Sequence, residues 1–365
     1  MIVYSGLKRD FCSSVYDGSI VEKVEELLRE RAHRTASISE HAAFTNSLRE
    51  MYVVLDNDAI PEDAGIAIEY NIPQTNKRVD FIITGYDSDN KPNAVVIELK
   101  QWEKVEKVEG PDALVETYTG GGIRKVVHPS YQVWSYASMI KDYNETVQDK
   151  EIELYPCAYL HNYTSRNNGD PIRDDIYSYY LKEAPVFDKK EREKLVSFIA
   201  KTITTGGKEI IYELDGGKIR PSKRLQDSLA RMLQGNKEFN MLDEQKVVYE
   251  TILEKAGSKD GNKKTLIVEG GPGTGKSVVA INLLCELTKR GQFVQYASTN
   301  AAPRQVYAEK LSKIRTKTQI SNLFRGTGSY YDMPSNVLDT CIVDEAHRLR
   351  EKSGIYKNFG ENQIK

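Results

Sequence analysis

The sequence predicts an α/β protein in two domains, and three observations lead there. At 365 residues the chain has room for about two domains with cores of their own. Between Gly65 and Lys100 the hydrophobic period is two, the spacing of strands, with helical patterns before and after it. Towards the other end, Thr265-Leu266-Ile267-Val268 is a short apolar run, Glu269–Ser277 reads EGGPGTGKS, and Val278–Leu284 carries apolar residues at helical spacing. Strand, glycine loop and helix in that order make a phosphate-binding loop.

The loop's residue types follow from its task. Backbone N–H groups wrap a polyphosphate only where side chains do not intrude, and the following helix turns its positive end to the anion. Gly270, Gly271, Pro272, Gly273, Thr274 and Gly275 are read as the cradle, Lys276 as the group reaching the β- and γ-phosphates, and Ser277 as a hydroxyl ligand to Mg²⁺. ATP is the expected nucleotide.

Composition bounds the rest. Lys+Arg 51 against Asp+Glu 53 gives a net charge of -2, so any nucleic-acid surface must be local. Cys12, Cys157, Cys285 and Cys341 lie far apart with no Cys-x-x-Cys pair, against a disulfide framework, a zinc ribbon or an iron–sulfur cluster. No apolar run approaches the roughly 18 residues of a membrane span, and the expectation is a cytoplasmic protein with no membrane partner.

In chain order, an irregular start leads to two amphipathic helices. Ser19 with Glu22, and Ser37 with Glu40, read as capping boxes ahead of the stripes Ile20, Val24, Leu27, Leu28 and Phe44, Leu48, Met51, Leu55. Glu40 shares the buried face and either caps its helix or points into a site. From Gly65 the alternating runs and the turn-forming stretch 87–93 describe an antiparallel meander. Glu98 and Lys100 share a strand face, and Asp80 on the preceding strand can meet them. Such carboxylates hold hard divalent cations, Mg²⁺ or Mn²⁺, through oxygen, and the lysine can orient water or steady phosphate charge. The other reading is a surface strand ending in alternating charges.

Asp80…Glu98-Leu99-Lys100 resembles the PD-(D/E)xK nuclease superfamily, although Val79 stands where the family name has proline. Downstream, His128-Pro129-Ser130 starts a helix that puts Gln132 and Tyr136 four residues apart on one face. This resembles the RecB-type branch, where the resemblance implies that those two residues flank the metal site and bear on DNA. The expected catalytic residues are therefore Asp80, Glu98, Lys100, Gln132 and Tyr136, with Asp80 and Glu98 on the metal. Cys157 and His161, on a strand spanning Glu151–Tyr163, read as structural. A strand at Ala184–Phe187 and a helix capped by Asp188 and Glu191 close the first domain.

The expected domains are 1–203, nuclease-like; 204–238, a connection containing the basic helix Ser222–Leu233; and 239–365, a nucleotide-binding lobe. Leu242, Asp243 and Gln245 ahead of the loop resemble the adenine-reading segment of superfamily 1 helicases, with Gln245 reading. Ser298-Thr299-Asn300 ends the next strand, where helicases of this class touch a single strand. Arg304, Lys310, Lys313, Arg315, Lys317 and Arg325 make either a phosphate-contacting or a solvated basic segment. The buried strand Thr340–Val343 runs into Asp344 and Glu345, expected to hold Mg²⁺ and to polarise the attacking water respectively. From about Phe239 to Gly360-Glu361-Asn362-Gln363-Ile364 the chain resembles the first RecA-like lobe of the Schlafen-type DNA/RNA helicase domain of superfamily 1.

These resemblances imply a Mg²⁺-dependent nuclease fused to an ATP-binding lobe, in DNA processing or phage defence. The alternative is a nucleotide-dependent sensor that binds nucleic acid and has lost catalysis. DNA is the expected partner, with RNA left open, and the lobe is expected to be incomplete, completed by a second lobe or by self-association. Without an arginine finger the chain is expected to bind ATP and turn it over slowly.

Overall fold

The start of the chain is ordered: Ile2–Leu7 forms strand β1, against the expectation of an irregular lead-in. In the computed structural model the described residues are 1–73, 75, 77–166, 169–220, 241–258, 263–300, 320, 322–330, 333 and 337–349. They belong to two compact units, Met1–Ser222 and Lys223–Lys365.

In the first unit β1 is followed by helices α1 (Lys8–Tyr16), α2 (Ile20–Ala32) and α3 (Ile38–Leu55), then strands β2 (Gly65–Asn71), β3 (Arg78–Tyr86) and β4 (Pro92–Lys100). A small antiparallel sheet of β5 (Val105–Lys107), β6 (Leu114–Thr119) and β7 (Gly122–Val127) comes next. Then follow α4 (Pro129–Tyr143), α5 (Glu145–Asp149), β8 (Glu153–Leu160), α6 (Ser178–Glu183), β9 (Val186–Asp188), α7 (Arg192–Thr202), β10 (Thr205–Gly206) and α8 (Glu209–Gly216).

The main sheet runs β1-β2-β3-β4-β8-β9, with β10 paired to β3. Its first four strands are antiparallel, as the meander required. Strand β8 returns parallel to β4, which needs a crossover, and α4 is part of it. The alternation at 65–100 proved shallower than expected: β2 is buried at six successive positions, from Gly65 to Tyr70. The reason is that helices cover both faces. Phe81, Ile83, Val95, Ile97, Cys157 and Tyr159 meet α1, α2, α3 and α7 on one side, while α4 packs on β4 and β8.

Caps and boundaries follow local chemistry. Ser37 and Glu40 form the expected reciprocal cap of α3. Ser19 makes no such bond; its N–H donates instead to Asp17 Oδ1. The expected connection from 204 also begins too early, because Thr205 and Gly206 pair with Tyr86 and Gly85 and Thr84 Oγ1 donates to Gly207 O. Gly206 is required there, since a Cβ would come within 2.3 Å of Asp63. The basic helix Ser222–Leu233 lies outside the described residues.

Lys8 is a structural anchor that patterning did not disclose. Its ammonium, 1% exposed, donates to Asn57 O, Ile60 O and Glu62 Oε1 at 3.0, 2.8 and 2.8 Å. Lys8→Ala is expected to cost about 2–3 kcal/mol by stranding those acceptors. Urea unfolding followed by tryptophan fluorescence checks it, because the 2 tryptophans, Trp102 and Trp134, both lie in this unit.

The second unit holds α9 (Asp243–Gly257), α10 (Lys276–Lys289) and a parallel sheet β12-β11-β13, made of Phe324–Arg325, Val294–Ser298 and Thr340–Asp344. Val279, Leu283, Leu284 and Leu287 of α10 pack with Tyr249, Leu253, Val294 and Tyr296. Two strand expectations are corrected. Thr265–Val268 forms no strand, and Ile267 is 82% exposed, because no ladder among the described residues takes the segment in. Strand β13 is not fully buried: Cys341 and Val343 are exposed while Asp344 is covered. No helix among the described residues is long and apolar enough to cross a membrane.

Candidate functional site

The first candidate site forms where β3 and β4 part. Their last ladder pair is Phe81 with Ile97, and the next residues on the two strands are Asp80 and Glu98. Asp80 Oδ2 accepts the Leu99 N–H at 2.8 Å, which locks its carboxylate to the neighbouring strand. Glu98 is 3% exposed, and Lys100 Nζ donates to its Oε1 at 2.6 Å. The lysine's ammonium also stands 5.3 Å from the Trp102 ring centroid. Asp80, Glu98 and Lys100 are thus adjacent and partly or wholly buried, as opposed to a solvated strand end.

Helix α4 begins with His128 accepting the Ser130 N–H at its own cap, and Pro129 in the first turn. Gln132 and Tyr136 lie one turn apart, and Gln132 Nε2 donates to Tyr136 Oη at 3.0 Å. They form one pair and the strand residues another, on a helix and a strand that pack together.

Burial without an ion pair holds His128 neutral, with its pKa pushed down to about 4. The other ring nitrogen faces Ile172 O at 2.9 Å. His161 is likewise lowered by burial. At His128 the unfolded chain therefore takes up a proton from about pH 6.5 downwards that the folded chain refuses until about pH 4. The contribution of His128 to the stability of the first unit should be complete above about pH 6.5 and be lost, by roughly 1–3 kcal/mol, on acidification to about pH 4. Glu69, raised by burial, works in the opposite direction, so the His128 part is read as the difference from the variant. Urea unfolding at stepped pH checks this, and His128→Asn should flatten the slope.

Three further residues adjoin the carboxylates without having been singled out from the sequence. Glu69 sits on β2 between the ladder pairs Ile68–Phe81 and Tyr70–Val79, hence across from Asp80. Its backbone lies in the left-handed region, φ 58°, which is costly for a glutamate. Arg78 Nη1 donates to it at 2.5 Å and Arg34 stands at 3.7 Å. Burial and the negative charge of Asp80 raise its carboxyl well above the usual range. Glu40 joins the same network through Arg34 at 2.8 Å and Arg78 at 3.7 Å, so it both caps α3 and reaches the edge of the site. Lys77 and Arg78, basic residues just ahead of Asp80, were the available signal.

Does this set suit a hard cation? Two carboxylates on adjoining strands provide the right oxygen donors. Among the described residues, however, no group of three or more His, Cys, Asp or Glu is gathered as a metal cage. Asp80 and Glu98 supply two oxygen donors from adjoining strands, which would leave the other positions of a bound hard cation to water or substrate oxygens.

The second candidate site lies in the second unit. Gly273 and Gly275 adopt positive φ, 74° and 79°, as the curled loop needs. Lys276 Nζ donates to Gly270 O and Gly271 O at 2.7 and 2.8 Å, so the ammonium bridges the loop it belongs to. Ser277 Oγ donates to Asp344 Oδ2 at 2.9 Å, which joins the loop's helix to the end of β13. Pro272 and Thr274 lie on the exposed crest, where Thr274 Oγ1 donates to Gly271 O. Glu345 follows Asp344 in the left-handed region, φ 57°, with His347 at 3.3 Å.

Gln245, expected to read adenine, stands against the glycine loop. Its Oε1 accepts the Leu242 N–H and its Nε2 donates to Thr274 O at 2.9 Å, bracing the loop. Strand β11 ends at Ser298, and Thr299 and Asn300 follow directly after it. Of the expected basic segment only Arg325 is among the described residues; Arg304, Lys310, Lys313, Arg315 and Lys317 lie outside them, as does the 360–364 tail.

Residues 263–365 match the family model for the Schlafen group 3, DNA/RNA helicase domain. Searches of curated proteins and of solved structures found no match. The second unit of this α/β chain therefore carries a helicase-like sequence, similar to that domain over the loop, Asp344 and Glu345.

Proposed function

We propose that the chain is a metal-dependent nuclease acting on DNA, with a nucleotide-binding helicase-like lobe, in DNA processing or phage defence. The observation that carries the nuclease reading is the buried Glu98–Lys100 pair beside Asp80. A buried carboxylate paired with lysine is costly to build, and such arrangements concentrate at functional sites. Asp80 and Glu98 would hold Mg²⁺ or Mn²⁺, and the bound ion would supply Lewis-acid polarisation of the phosphodiester and an activated water. Lys100 would steady charge on the phosphate oxygens, and the Gln132–Tyr136 pair would contact the nucleic acid.

In the second unit the Gly270–Ser277 N–H groups and Lys276 would hold the ATP polyphosphate. Ser277 and Asp344 would hold Mg²⁺, and Glu345 would polarise water. An adenine contact by Gln245 would mean exchanging its bond to Thr274 O. The experiment is cleavage of linear and single-stranded DNA, and of RNA, by the full chain with Mg²⁺ or Mn²⁺, with and without ATP. Cleavage should need the cation and not ATP hydrolysis.

One observation favours a second reading, a nucleotide-dependent nucleic-acid-binding module without catalysis: no cage of three acidic or His/Cys ligands forms among the described residues. Binding of DNA without cleavage at any divalent concentration would establish it.

A further inference from the structure

The geometry points to Tyr296 as a positioning residue for Asp344, the carboxylate proposed to hold Mg²⁺ with the nucleotide; the inference rests on that reading of the second unit. Tyr296 lies in the middle of β11, opposite Ile342 of β13. From its sequence it is an apolar strand residue, and its ring indeed packs on Phe324 with centroids 5.6 Å apart. The side chain is 0% exposed, so its hydroxyl must find a partner inside the protein. It donates to Asp344 Oδ2.

That oxygen is the one Ser277 Oγ also reaches, at 2.9 Å, while Asp344 Oδ1 accepts the Glu345 N–H at 3.1 Å. Three donors therefore fix the carboxylate, and each comes from a different place: the glycine-loop helix, the neighbouring strand, and its own next residue. Ser277 is the one that must turn to a cation when nucleotide binds. Tyr296 holds Asp344 in place throughout, because its ring is anchored in the core. Phenylalanine would fill the same space, so the hydroxyl is a chemical requirement and not a packing one. Removing a hydrogen bond that orients a metal-binding group typically costs 10–100-fold in metal affinity.

The test uses the full chain, ATP, and Mg²⁺ titrated against a fixed nucleotide concentration, with binding read by calorimetry and repeated in EDTA. Tyr296→Phe should raise the half-saturating Mg²⁺ concentration about tenfold and leave the EDTA affinity unchanged. In an Asp344→Asn background the same substitution should change nothing further. An unchanged Mg²⁺ requirement would overturn the inference, and so would an equal loss of ATP affinity with and without the cation. A Tyr296→Phe melting temperature lowered by more than ~10 °C would also overturn it, since the hydroxyl would then serve the core. If the unaltered chain binds no ATP even with saturating Mg²⁺, the nucleotide reading itself fails.

Discussion

In Lys276→Ala, ATP·Mg²⁺ binding is expected to fall by a factor of about 100 or more, to the limit of calorimetric detection. The lysine's ammonium already spans the loop, donating to Gly270 O and Gly271 O. A polyphosphate in that loop would exchange those neutral acceptors for anionic ones, and charge-assisted hydrogen bonds are each worth roughly 1.5–3 kcal/mol. Losing two of them gives the expected factor. The loop should survive the substitution, because its curvature comes from Gly273 and Gly275 and its brace from Gln245. Unaltered affinity in this variant would place the nucleotide elsewhere.

Lys100→Met should separate binding from chemistry in the first unit. Cleavage is expected to fall roughly 10²–10³-fold, the loss seen when one charge-stabilising donor is taken from a transition state. Cation affinity should hold or rise, because the ammonium that competes for Glu98 Oε1 at 2.6 Å is gone. Loss of the Glu98–Lys100 ion pair should lower the variant's melting temperature in EDTA, and Mn²⁺ should restore it. Full cleavage in this variant would remove Lys100 from the site.

Sequence patterning disclosed the parts of this protein whose physics is local. The meander, helix α4, the Ser37–Glu40 cap and the glycine loop each follow from residues within a few positions of one another. Patterning failed where distant residues decide. Thr265–Val268 has the composition of a strand, yet a strand exists only with a partner, and composition carries no partner. The first strand was missed for the converse reason: Ile2–Leu7 looks irregular alone and is ordered by pairing with Gly65–Tyr70, some sixty residues on. Thr205–Gly206 joined the first unit because a glycine pair fits against Asp63 and Tyr86, a tertiary fact hidden in a glycine-rich stretch.

The candidate sites were legible to a similar degree. Acid, acid and lysine at strand spacing, or a complete glycine loop, can be read from one dimension. The Glu69–Arg78–Arg34–Glu40 network cannot, because it joins three segments by charges that each look like ordinary surface. Tyr296 is hidden for the opposite reason, as a polar hydroxyl inside an apolar strand.

The proposed nuclease chemistry depends on Asp80 and Glu98 together holding a hard divalent cation. Its most direct test is a Mn²⁺ titration without nucleotide, free Mn²⁺ being read by electron paramagnetic resonance, on the unaltered chain and on Asp80→Asn and Glu98→Gln. One site is expected in the unaltered chain, with a loss of at least roughly tenfold in affinity in each variant, since each removes a charged oxygen ligand. Equal Mn²⁺ affinity in all three proteins would contradict it.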